Sequence, residues 1–192
     1  MSLPSAPVGH LVSALGSANQ SVREDAAREL HRRGKAQADT AISTWRRIPE
    51  LSALLANHCT VGIAVTPEHF AKIRAALGNP NLAVVPPDQD AEEFEWHLHA
   101  DVHLDILTTL QPGGSGAIAR FLIKFGEGIQ QVELLTEDVD RATELIRSRL
   151  GLQPVYPQTR PGAGGTRVNF FLVASPVGGK VLIELVENPN QP

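Results

Sequence analysis

The chain has 192 residues and is 42% hydrophobic, with 17 Lys+Arg against 21 Asp+Glu for a net charge of -4. That apolar fraction excludes a disordered chain, no apolar run reaches the length of a membrane helix, and the acidic balance argues against a general binder of nucleic acid or anionic membrane. The single cysteine, Cys59, allows neither an internal disulfide nor a cysteine zinc cage, so a reducing, cytoplasmic location is expected.

The amino-terminal stretch MSLPSAPVGHLVSALG lacks a charged start followed by a long apolar core and is not expected to be a secretory leader. Residues 1–56 read as a helical segment. Ser21-Val22-Arg23-Glu24 has the form of a capping box, Val22, Ala26 and Leu30 form one apolar stripe, and Gly34 is a plausible stop after the basic turn His31-Arg32-Arg33. A further helix is predicted over about 35–47, with Ala38, Ile42 and Trp45 on one face. Pro49 interrupts it, and Leu51, Leu54 and Leu55 continue the pattern. Acids interleave with the bases, so the basic turns read as solvated helix faces. Such helices cannot bury their apolar stripes alone and are expected to pack on the rest of the chain or on a partner subunit.

After residue 57 the periodicity changes. Residues 60–65 read as a strand, 67–77 as a short helix opened by Pro67, and 82–85, 93–99 and 102–107 as strands. A Gly-rich stretch over 113–126 then reads as a linker. Its Pro112-Gly113-Gly114-Ser115-Gly116 lacks the Lys and spacing of a phosphate loop. Beyond it come a strand at 129–135, a helix at 139–150 with Gly151 as its cap, and strands at 154–158, 167–174 and 181–186. The order β-α-β-β-β therefore occurs twice, in segments 57–112 and 127–192, which implies a curved sheet with a shared cavity.

All seven histidines lie before residue 104, and His97, His99 and His103 flank a predicted turn at Ala100-Asp101. A two-residue hairpin would pair Trp96 with Asp105, Leu98 with His103 and His99 with Val102. His103 and Asp105 would then share a face, as a displaced metal site or a base, while His97 and His99 face away. The alternative is an exposed hairpin tip that happens to be His-rich. Cys59 has no base opposed to it in sequence and reads as a buried structural thiol.

The segments AIARFLIKFGEGIQQVEL, RPGAGGTRVNFFL and GGKVLIELVE resemble methylmalonyl-CoA epimerases of the vicinal oxygen chelate superfamily. The likeness is strong in the second half, weaker in the first, and leaves out the N-terminal helices. It implies an α+β fold of paired βαβββ modules forming a curved eight-stranded sheet around a cleft that holds a divalent metal. It also implies proton transfer through a metal-stabilised enolate, with carboxylates as bases. Carried over by position, the metal-site residues would be Glu184, Asp105, Gln131 and Thr60, the last two standing where the family has histidine. Glu184 and Glu95 are the candidate catalytic carboxylates, with Glu93 beside the latter. With both histidines replaced, the oxygen-only set suits weakly held Mg²⁺ or Ca²⁺, or no metal at all. The implied partner is a small carboxylate or acyl-thioester ligand, with the chain as a homodimer and neither nucleic acid nor membrane involved. The alternatives are a ligand-binding protein without catalysis, as in bleomycin resistance, and an interaction protein working through its N-terminal helices.

Overall fold

The computed structural model describes residues 6–188. The first residues of the stretch read as lacking a leader, and the last four of the second βαβββ segment, lie outside the described residues. The chain forms two compact units, one of residues up to Arg33 with Thr60–Gln130, the other of Gly34–Cys59 with Gln131 onward.

Three helices open the chain: α1 (Val8–Leu15), α2 (Gln20–Trp45) and α3 (Pro49–Leu54). Two expectations fail in α2. It starts before the capping box, because the side chain of Asn19 accepts the Ser21 backbone N–H at 3.0 Å. Glu24 instead binds Gln20 and Arg28. The helix also runs through Gly34, since good helix formers on either side outweigh a cost of about 1 kcal/mol for one interior glycine. Pro49 does open a new helix, at its first turn where no N–H is needed. In the basic turn Arg32 and Arg33 both pair with Glu29 at 2.7 Å, which holds the Glu29 carboxyl down at about 2.

In the first unit, β1 (Thr60–Ala64) pairs in parallel with β3 (Val102–Thr109), and β2 (Ala91–His99) pairs antiparallel with β3. The helix α4 (Pro67–Ala76) follows β1. Val61, Ile63, Phe94, Leu104 and Ile106 pack in one core cluster with Leu11, Val12 and Leu15 of α1, Ala26 and Leu30 of α2, and Phe70 and Ile73 of α4. The N-terminal stripe is thus buried within this chain. In the second unit the order is β4 (Gly128–Leu135), β7 (Lys180–Glu187), β6 (Arg167–Ala174) and β5 (Arg160–Pro161). Val132, Leu134, Phe171, Ile183 and Leu185 pack with Trp45, Leu51 and the α6 (Val139–Leu150) residues Val139, Ala142 and Ile146. Trp45 meets Phe171 edge-on, centroids 5.6 Å apart.

The described residues thus hold seven strands, not the expected eight. Residues 82–85 form no ladder. Ala83 donates to the Glu93 carbonyl at 3.0 Å, but Pro80, Pro86 and Pro87 bracket the stretch without donors and Val84 is 81% exposed. Pro154–Gln158 forms no ladder either: the Val155 N–H donates to the Phe170 carbonyl at 2.7 Å, but Pro154 and Pro157 have no N–H to give, and regular pairing starts at Arg160. The stretch read as a linker carries a helix, α5 (Ala117–Phe125), whose Ile118 packs on Ala64 and Leu107. No helix among the described residues is long and apolar enough to cross a membrane.

Candidate functional site

Within each unit the strands bury one face in the core and carry polar side chains on the other. In the first unit the register sets Glu93 opposite Leu107, Glu95 opposite Asp105 and His97 opposite His103, with Thr60 and Gly62 of β1 beside His103 and Asp105. Directly opposed residues share a face, so Thr60, Glu93, Glu95, His97, His103 and Asp105 stand together. The hairpin pairing expected from the turn is corrected here. A bulge between His97 and His99 moves the register by one, which brings His97 onto this face. The reason is hydrophobic: Phe94 and Trp96 must join Leu104 and Ile106 in the core, and that choice carries every alternate residue to the other side. His99 lies opposite Val102, its Nε2 3.2 Å from the Arg28 guanidinium of α2.

The acids on this face differ in setting. Asp105 is buried, and Glu95 is exposed and paired through 2.7 Å to His97. Glu93 is half-buried near the apolar contact of α5 with Leu107. Burial, then the neighbouring Glu95 charge, pushes its carboxyl up to about 7, into the range useful for exchanging a proton near neutrality.

In the second unit, Glu133 stands opposite Glu184, and Glu184 opposite Phe170, with Gln131 one pair along beside Leu182. Gln131 and Glu184 are both buried, and the Gln131 amide donates to Glu184 at 2.5 Å and to Glu133 at 3.1 Å. Glu184 is therefore an enclosed, oriented carboxylate and not a solvated strand residue. Next to it Phe170 meets Tyr156 edge-on at 5.9 Å, and the Arg160 guanidinium lies 4.8 Å over the Tyr156 ring. β5 sets Arg160 opposite Val168, on the same side of the sheet as Phe170 and Glu184. Sequence reasoning singled out neither Glu133, Tyr156 nor Arg160. The signal for Glu133 was its spacing of two from Gln131, and for Arg160 its place at the head of the RPGAGG motif.

A groove of about 510 Å³ in the second unit runs between α6 and the 153–159 loop, lined by Asp140, Glu144 and Arg147 among others. It includes neither Gln131 nor Glu184. Its Asp140 is committed to Arg167 and Thr159, which hold that carboxyl below the usual range against its burial.

The fold is that of the epimerases. The crystal structure of methylmalonyl-CoA epimerase from Mycobacterium tuberculosis is 31% identical and matches 72% of this chain and 89% of that one, with a TM-score of 0.54. The chain belongs to the methylmalonyl-CoA epimerase family of the vicinal oxygen chelate superfamily. A Streptomyces coelicolor methylmalonyl-CoA epimerase variant in complex with 2-nitronate-propionyl-CoA is 26% identical, at a TM-score of 0.57, over 72% of this chain and 99% of that one. A methylmalonyl-CoA epimerase in complex with methylmalonyl-CoA and ammonium, 24% identical over 71% of this chain and 96% of that one, shares the fold at a TM-score of 0.52. No protein-family model and no curated protein sequence matches the chain.

The metal this family implies meets an altered donor set. The four positions carry hydroxyl (Thr60), carboxylate (Asp105, Glu184) and amide (Gln131), two in each unit and none an imidazole. Gln131 turns its N–H groups, not its carbonyl, toward Glu184 and Glu133. Among the described residues no three His, Cys, Asp or Glu side chains converge on a point where a cation could sit. These residues do not fit a tightly held zinc, cobalt or nickel ion, whose usual ligands are imidazole and thiolate.

Proposed function

We propose that this chain binds a small carboxylate or acyl-thioester ligand and exchanges the proton between its two carbonyl groups, as an epimerase relative whose acid–base groups are carboxylates. The observation that carries the reading is the buried Gln131–Glu184 pair on the face where Phe170, Tyr156 and Arg160 also stand. Family membership and neighbours crystallised with CoA thioesters supply the ligand class.

In this reading Glu184 takes or returns the proton. The Gln131 amide fixes the orientation of its carboxylate, and an oriented base contributes roughly 10²–10⁴-fold to such a transfer. Arg160 offers a planar cation to a carboxylate or phosphate oxygen of the ligand. On the first unit a β2 carboxylate has the same role: Glu95 shares the face, and the half-buried Glu93 has the more suitable affinity for a proton. The oxygen donors at Thr60, Asp105, Gln131 and Glu184 suit Mg²⁺ or Ca²⁺ better than an imidazole-bound metal, and such a cation would polarise the ligand's carbonyl oxygens when bound. The assembly expected is a homodimer, read out as a mass near twice that of the chain in light scattering.

The test is proton exchange in D₂O. With methylmalonyl-CoA as probe, NMR should show loss of the proton between the thioester and the acid. The absence of imidazole at the four positions favours a second reading, a binder without catalysis. Saturable binding without exchange, with or without added divalent metal, would establish it, and neither binding nor exchange would remove both.

A further inference from the structure

In the second unit an apolar strip continues from the Gln131–Glu184 pair. Along β6 and β7 alternate residues enter the core: Phe171, Val173, Val181 and Ile183 all belong to its cluster. The residues between them take the other face. There the register sets Phe170 opposite Glu184, then Leu172 opposite Leu182, then Ala174 opposite Lys180, with Gln131 of β4 beside Leu182. Leu172 is 52% exposed, and Phe170 and Leu182 are half-buried. Apolar side chains left open to solvent and bordered by polar groups mark a place where something apolar docks. Strand pitch fixes the length of the strip. Same-face neighbours on one strand lie about 7 Å apart, so Leu182 is one such step from Glu184, and Lys180 is two. An extended alkyl chain advances roughly 1.3 Å per carbon, so about five or six carbons span the first step.

We propose that the ligand carries an apolar alkyl chain of about four to six carbons on the carbon whose proton Glu184 exchanges, and that Leu172 and Leu182 hold this chain. The proposal rests on the proton exchange proposed above and names its substrate class: a malonyl-type thioester with a medium-length alkyl substituent. A methyl group at the reacting carbon stops short of Leu182 and leaves Leu172 in water. A longer chain lies across both leucines and removes their apolar surface, and its own, from water. Lys180 marks the end of the strip. Its ammonium is strongly hydrated, and Ala174 opposite it offers little apolar area, so carbons beyond the leucines gain nothing further.

Calorimetric titration of the full chain with hexylmalonyl-CoA and methylmalonyl-CoA tests it. The hexyl compound should bind roughly tenfold or more tightly than the methyl one, and decylmalonyl-CoA no more tightly than the hexyl. Leu172→Ser and Leu182→Ser should each remove most of that ratio, and Leu172→Met should keep it. Val177→Ser should also keep it, since Val177 is 65% exposed but lies in the β6–β7 turn, off the strip. Equal affinity for the methyl and hexyl compounds, or a ratio untouched by Leu172→Ser, overturns the strip. So does a Leu172→Ser protein whose mass in light scattering falls while the ratio stays, which assigns the leucines to a second copy of the chain. Proton exchange with methylmalonyl-CoA is a separate readout. Exchange without a chain-length preference overturns the strip alone. A preference without exchange of either compound removes the catalysis and leaves a binder of the same ligand class, and no binding of either removes both.

Discussion

The two sheet faces carry different chemistry on similar scaffolds. In the second unit a carboxylate is enclosed, bonded to an amide and bordered by aromatic rings. In the first, the acids alternate with imidazoles along an edge hairpin, and two of the six polar groups are mostly exposed. A buried carboxyl group held by an oriented amide is costly to disturb, whereas exposed pairs rearrange at little cost. The difference sets a fixed, oriented carboxylate on the second face against adaptable, pH-sensitive groups on the first.

That contrast breaks most readily at Gln131. Gln131→Leu leaves the buried Glu184 without its amide donor and should lower stability in urea by roughly 2–4 kcal/mol. A loss of a few tenths would mean that the second face is as loosely held as the first.

A smaller effect is expected at Glu93. Its carboxyl is pushed up to about 7 by burial and the Glu95 charge. The folded state therefore holds a proton that the unfolded chain has already released. Stability should then fall as pH rises from about 4.5 to 7, and Glu93→Gln should remove that fall, gaining roughly 1–2 kcal/mol at pH 8 and almost nothing at pH 4. Parallel pH profiles for the two proteins would contradict the burial of Glu93.

Away from both faces, Glu127 gives a reference point in the first unit. Burial raises its carboxyl, but the N–H and hydroxyl of Thr66 and the His69 imidazole outweigh that and hold it below its usual range. Its contribution is present above the ordinary carboxylate pKa and is lost as pH falls through the lowered one. Glu127→Gln should cost about 1 kcal/mol at pH 7, with the difference vanishing in acid. The smallest effect belongs to the exposed Glu95–His97 pair: His97→Ala should change stability by about 0.5 kcal/mol or less.

The second face was largely legible from sequence. Alternation along 181–186 put Glu184 and Leu182 on one side, and the motif placed Gln131, so the pair could be named before its bond was seen. What escaped was Arg160 beside Tyr156, because irregular backbone with two prolines has no period from which to read a face. The first face was half legible. Counting back from the predicted turn gave His99 its right partner, Val102, but misplaced Asp105 and His103, whereas the alternation of Phe94 and Trp96 with Glu93, Glu95 and His97 already contained their right partners. Core burial, which involves many side chains, set the register, and a single bulge near Leu98 absorbed the mismatch at the turn. The run through Gly34 and the helix at 117–125 show the same priority of packing over local stop signals.

The central claim is that Glu184, held by Gln131, moves the proton. It is tested most directly by comparing wild type with Glu184→Gln in D₂O, with methylmalonyl-CoA and matched protein concentrations. The substitution keeps the size of the side chain and one acceptor oxygen for the Gln131 amide, and removes the base. The account predicts that wild type exchanges the proton between the two carbonyl groups and that the variant does so more slowly by about 10² or more. A folded Glu184→Gln protein exchanging at the wild-type rate would contradict it.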